Sequence, residues 1–301
     1  MKVLAISYSQ SGQLDEIMEN LLLPLQDVEI DRIQFRPENE YPFPWTSDTF
    51  FDVMPETVLA EPITLQPITY KYEKYDLIIL GYSPWYLSPS LPTSTLLANK
   101  DFQKRLFETP VVTVIGARNM WLNAQERVYA SITQAKGRLV GNIPLCDRHA
   151  NLVSVVTILH WMLTGEKTKK YNLFPKPGVS DKEIVGMKDF GEILNLAIKD
   201  KNLESLQENF LALNRIEVKT NLWFIESRAK MLFQIWAKHI KRKSNSAKNR
   251  KKWLRIFKYY LLIALFVVAP VVLLIFNVLV LPFIYNTVKK RKEYLCNNKY
   301  A

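Results

Sequence analysis

The chain has 301 residues and a formal net charge of +11, room for two average domains or for one domain with appendages. The charge is unevenly placed: from Arg215 onward there are 19 Lys/Arg against 3 Asp/Glu, whereas residues 1–214 hold 21 against 26. A mildly acidic globular part argues against a nucleic-acid-binding domain, whose own surface is basic, and the basic third points to an anionic lipid surface. The two cysteines, Cys146 and Cys296, offer neither a disulfide framework nor zinc spacing. No basic n-region with an apolar h-region opens the chain, so a reducing compartment is expected for the globular part.

Val3–Ser7 reads as an apolar strand that ends in a hydroxyl-rich loop, Ser9-Gln10-Ser11-Gly12. Leu14–Leu25 has helical spacing, and Val28–Phe35 alternates as a second strand. Residues 37–67 carry six prolines interleaved with Tyr41, Phe43, Trp45, Phe50 and Phe51. That stretch reads as a long structured loop with a short helix near Asp48–Met54, a flap over one sheet face. Asp76–Gly81, Pro110–Gly116 and Leu139–Leu145 are further strands, and Leu122–Ala135 is helical. Continuous apolar strands alternating with helices predict a doubly wound parallel α/β sheet, covered on both faces.

Ala150–Thr164 reads as an apolar helix with Gly165 as its C-cap. A polar, Lys-rich stretch runs on to Pro177, and helices follow near Asp181–Lys199 and Leu203–Leu213. Residues 215–258 mix Trp223, Phe224, Phe233 and Trp236 with many Lys and Arg, as an interfacial helix does. Tyr259–Val288 holds no charged residue. As a helix it is about 45 Å long, more than the ~30 Å bilayer core. A tilted single span and a re-entrant hairpin both suit it, since its flanks are both basic. The denser N-terminal flank places the globular part on the cytoplasmic side of the inner membrane. The expected organisation is therefore 1–165 as the α/β domain, 166–213 as a helical extension, 214–258 as a basic amphipathic segment, 259–288 as the membrane segment and 289–301 as a basic tail.

Ligands of such sheets bind beyond the carboxyl ends of the strands. Ser9, Gln10, Ser11, Gly12 and Gln13 follow the first strand and precede a helix, which suits a phosphate. Ser83, Pro84, Trp85 and Tyr86 follow the third strand and suit a flat conjugated ring. Gly116, Arg118 and Asn119 follow the fourth, with Arg118 the first candidate for contact with substrate or cofactor. Asp147, Arg148 and His149 follow the fifth, with His149 able to titrate near neutral pH. Each has a plainer reading: a strand–helix turn, core aromatics, a surface ion pair and a salt-linked turn. His160 reads as a satisfied helix residue and Cys146 as a small buried hydrophobe. No metal constellation is present.

The loops Ser9–Gln13 and Gly81–Tyr86 resemble those of the flavodoxin-like flavoproteins. The resemblance covers residues 1–165 and implies strand order 2-1-3-4-5 and FMN as cofactor. It makes Ser9, Ser11 and Gly12 phosphate ligands, with the second and third loops flanking the isoalloxazine ring. The family usually carries a third hydroxyl where this chain has Leu14. The stretches YSQSGQL, GYSPWYLSPSLP, VIGARNMW and DRHANLVSV, with the membrane tail, further resemble bacterial proteins of dialkylresorcinol-type pathways, commonly labelled condensing enzymes. Condensation needs an activated nucleophilic Cys, which neither cysteine's context offers. The resemblance therefore implies a membrane-attached, FMN-dependent oxidoreductase that aromatises a lipophilic ring, with Arg118, Arg148 and His149 as candidate catalytic residues. A ketosynthase-type condensing enzyme is the implied partner. The alternatives are a non-redox scaffold for that partner and the condensing activity itself.

Overall fold

The computed structural model of the chain describes residues 1–169 and 173–300; part of the Lys-rich stretch before Pro177, and Ala301, lie outside the described residues. Five strands form one parallel sheet: β1 (Lys2–Ser7), β2 (Glu29–Gln34), β3 (Leu77–Tyr82), β6 (Pro110–Ala117) and β7 (Arg138–Cys146). Their spatial order is β2-β1-β3-β6-β7, the expected 2-1-3-4-5 once the small hairpin β4 (Pro84–Trp85)–β5 (Ser88–Pro89) is set apart. β1 pairs with both neighbours, Leu4 opposite Asp31 on one side and Ile78 on the other.

Alternation along the strands sorts the core into two layers. Val3, Ala5, Leu77, Ile79, Val112 and Val114 pack under α1 (Gln13–Leu22) and, from the C-terminal extension, α8 (Asp181–Val185), α9 (Met187–Lys199) and α10 (Leu206–Ala212). Leu4, Ile6, Ile78, Leu80, Val111 and Ile115 face the other way, toward α4 (Leu91–Ala98), α5 (Lys100–Leu106) and α6 (Leu122–Gln134). The extension is thus no separate lobe; its apolar stripes complete one face of the sheet.

Several elements differ from expectation for local reasons. The flap holds two short helices, α2 (Ser47–Asp52) and α3 (Met54–Leu59), because Pro55 near the start of α3 lacks the N–H needed to continue α2. The helix expected over Asp181–Lys199 breaks at Gly186. α4 and α5 were not legible in the sequence; Pro92 starts one, and the Asn99 side chain caps the other by accepting from the Asp101 and Phe102 amides.

α7 (Asn151–Thr164) ends at Gly165 as read. α11 (Thr220–Lys243) is followed by a reversal at residues 244–246, where Ser246 caps the next helix. From there α12 (Ala247–Ile263), α13 (Ala269–Ile275) and α14 (Leu281–Cys296) form one 50-residue helix, with π-helical stretches Ala264–Val268 and Phe276–Val280 between them. Each stretch contains the carbonyl four residues before a proline, Pro270 or Pro282, whose ring widens the turn. The chain reverses before the apolar segment, not within it. An 18-residue window of this helix has mean hydropathy 3.0 and is 6 % buried, so the helix is long and apolar enough to cross a membrane.

Candidate functional site

β1 ends at Ser7 and α1 begins at Gln13, with Gly12 left-handed at its N-cap (φ 82°) and no side-chain cap. Only glycine adopts that conformation without strain. Among the described residues, the amides from Ser9 to Leu14 donate to no protein acceptor, and the Ser9 hydroxyl is buried with no partner. Free amides, an orphaned hydroxyl and a helix N-terminus converge at one end of a cavity of about 370 Å³. That volume is in the range of a cofactor site.

The cavity lies beyond the carboxyl ends of β1, β3 and β6. Ser83, Pro84, Trp85 and Tyr86 form one wall. Tyr86 and Leu87 both sit at positive φ (48° and 60°) as the central pair of the β4–β5 hairpin. The primed turn that such a pair makes normally takes Asn or Gly, so a bulky pair there stores strain at the wall. The Trp85 ring meets Tyr41, Trp45 and Tyr8 at centroid distances of 5.2, 5.6 and 6.1 Å, which seats the flap against the wall. Gln10 ties the same flap to the loop, its Nε2 donating to the Pro42 carbonyl at 2.9 Å. The Gln13 side-chain amide bonds both ways to the Val179 backbone and so clamps the extension, while Gln13 also lines the cavity. The Leu14 side chain packs into the core and carries no hydroxyl.

Arg118 is the one charged side chain lining the cavity among the described residues. Its Nη1 donates to the Asn151 Oδ1 (2.9 Å) and carbonyl (3.2 Å) and to Ser154 Oγ (3.1 Å). Burial lowers its pKa to about 10, against the opposing pull of Asp147, so it stays cationic at neutral pH. Asn119 donates to Asn151 Oδ1 at 2.7 Å but lines a second, smaller cavity with Cys146, Asp147 and Arg148.

The structure does not bring Arg148 and His149 to the main cavity's wall. Arg148 binds Glu183 and the Arg215 carbonyl, half exposed. His149 Nδ1 lies 2.6 Å from the buried Asp147 carboxylate, whose Oδ1 also accepts from the His149 backbone amide at 2.9 Å. Burial pushes the Cys146 thiol up to about 12, so it holds its proton as a packed hydrophobe.

Two groups stand outside the expected site residues. Phe43, Trp45, Trp161 and Met162 extend the apolar wall, brought together by the flap and α7. Glu226, a lone acid in the run WFIES, is buried with its Oε1 accepting from the Asn123 amide at 2.7 Å. It caps α6, whose own Trp121 supplies no cap. Burial raises its pKa to about 7. A single acid inside an apolar helix stretch was the available signal.

No protein-family profile matches the chain, and no curated protein matches it. Among solved structures it is similar to a flavoprotein from Lactobacillus acidophilus NCFM in complex with FMN, at 18 % identity and TM-score 0.40, covering 48 % of this chain and 92 % of that one. A flavodoxin from the domain Archaea is similar at 14 % identity and TM-score 0.33, covering 66 % and 99 %. A flavone reductase follows at 12 % identity and TM-score 0.35, covering 67 % and 64 %. The fold described above stands on this chain's own strand order and register.

Proposed function

We propose that the protein is a membrane-attached, FMN-dependent oxidoreductase acting on a lipophilic ring. The observation that carries this reading is one cavity with a free-amide loop at one end, aromatic walls, and Arg118 as its only charged lining residue among the described residues. The residues present fit FMN. Ser9, Ser11 and the amides up to Leu14 would hold the phosphate, with Gly12 shaping the turn. Ser83–Tyr86 and Gly116 would flank the ring. FMN, when bound, supplies uptake of a hydride.

The chain's own residues do the rest. The described wall carries no carboxylate and no histidine, which disfavours hydrolysis and suits a dry redox site. Arg118, held by Asn151 and Ser154, presents a fixed cation to an enolate or phenolate oxygen. The flap and α11 cover much of the cavity. A ring with two oxygens and an alkyl chain, such as a cyclic dione that becomes a resorcinol on losing two hydrogens, matches this lining. A ketosynthase-type enzyme that forms such a ring is the partner this reading calls for. The basic segment and long apolar helix support attachment at the cytoplasmic face of the inner membrane. The raised Cys146 pKa speaks against a condensing thiolate.

The test is the absorbance spectrum of detergent-purified protein titrated with FMN. Flavin bands that shift on binding are expected; no uptake of FMN would sink the reading. Buried Leu14, which supplies no hydroxyl, favours the rival non-redox scaffold. That rival predicts a co-purifying condensing partner and no flavin.

A further inference from the structure

Both ends of the 50-residue helix are fastened to the same globular body. At its start, Arg250 binds Asp52 and Glu56 of the flap at 2.5–3.0 Å, and Lys258 donates to Ser47 at 2.8 Å. At its finish, Leu295 and Tyr300 are buried in the cluster that holds Leu122 and Val128 of the sheet domain. Gln207 Nε2 donates to the Cys296 carbonyl at 2.6 Å, and the Tyr300 ring lies 5.3 Å from that of Tyr129. Between these points the helix runs antiparallel to α11, with Trp236 against Tyr260 (5.0 Å) and Phe224 stacked on Phe276 (3.7 Å).

A helix that crossed a bilayer once would leave its two ends about 30 Å apart on opposite sides, where one cytoplasmic body could not hold both. A helix lying along an interface is normally amphipathic. This one is apolar on both faces because its inner face meets protein rather than water: Leu261, Leu262, Ala264, Leu265 and Ala269 line the cavity. The outer face exposes Val267, Val271, Leu274, Val278, Leu279 and Phe283, each at least half exposed. α11 continues that apolar surface with Met231 and Ile235, and its Leu232, 41 % exposed, also lines the cavity. Lys252 and Arg255 before the strip and Lys289 and Lys292 after it, none of them in a salt bridge among the described residues, flank it in the chain and suit anionic headgroups.

We infer that the helix is a monotopic anchor lying along one leaflet, and that the cavity it roofs takes an alkyl chain laterally from that leaflet between α11 and α12–α13. This deepens the oxidoreductase reading by placing the substrate's chain, but neither part of its test requires flavin.

Epitopes fused at the two ends of the full chain are digested by protease in right-side-out and inverted vesicles. Both are expected to be cut in the same vesicle type; cutting in opposite types would overturn the inference. In nanodiscs holding a diazirine-bearing fatty alcohol, photolabelling is expected on Leu159, Met162 or Trp85, cavity residues outside the membrane strip, as well as on Val271 and Leu274. The variant Ala229→Trp, at a position of α11 that lines the cavity, should lose the interior adducts at least tenfold and keep the outer ones. Adducts confined to the outer face in the unaltered protein would overturn lateral entry. Interior adducts without any FMN uptake would sustain this inference while the flavin reading fails.

Discussion

Ser9 and Leu14 bracket the loop on which the proposed FMN binding turns, and they bear on it oppositely. The Ser9 hydroxyl is buried and satisfied by nothing in the protein, so its removal deletes an unmet polar group rather than a bond. Ser9→Ala should leave the melting temperature unchanged or slightly raised. It should weaken FMN about tenfold, the worth of one hydrogen bond to a charged group, measured by fluorescence titration. Loss of stability with unchanged FMN affinity would remove the hydroxyl from the phosphate site. Loop residues were legible here because strand, hydroxyls, glycine and helix follow one another locally in the chain. The bond from the Gln13 side chain to Val179 was not legible, because the two are far apart in sequence and nothing local announces it.

Helix α11 is joined to the sheet domain by a carboxylate that replaces a missing cap. Glu226 accepts from the second residue of α6 at the positive end of that helix, yet burial raises its pKa from the usual 4.5 to about 7. The folded state therefore holds this proton more tightly than the unfolded chain. Its contribution is greatest below pH 4.5 and is lost as pH rises through 7, at a cost of about 3 kcal/mol by the size of the shift. Glu226→Gln keeps the acceptor and removes the titration, so its melting temperature should vary less than the wild type's between pH 5 and 8. Parallel curves would show that Glu226 is charged or neutral throughout. The same scale explains what the sequence hid. α11 and the long helix form one reversed pair because Ser244-Asn245-Ser246 breaks a pattern that composition alone reads as continuous. α4 and α5 were missed because Leu96, Leu97, Phe102 and Leu106 reach the core from two short helices broken at Asn99, so no long period develops.

Taken as a whole, the molecule carries its positive charge on elements that meet its own acids as well as any outside surface. Lys241, Arg250 and Lys251 are paired with Glu56, Glu61, Asp52 and Asp48 of the flap. On the anchor proposed above, electrostatics would supply only part of the hold on a membrane, and the apolar strip the larger part. The protein should remain in the membrane pellet after a wash in about 1 M salt, where the Debye length falls to about 3 Å, and leave it only in detergent. Release by salt alone would reduce the strip to a surface that rests on the headgroups. The order of the elements along the chain has a consequence for biosynthesis. Among the described residues, the floor of the cavity is complete by Gly178, while its roof comes from residues beyond 220 and is latched by Leu295 and Tyr300. As the chain leaves the ribosome, the floor emerges first and stands open. The site closes only after the apolar helix has been made, so a lipid surface can meet that helix before the latch is in place.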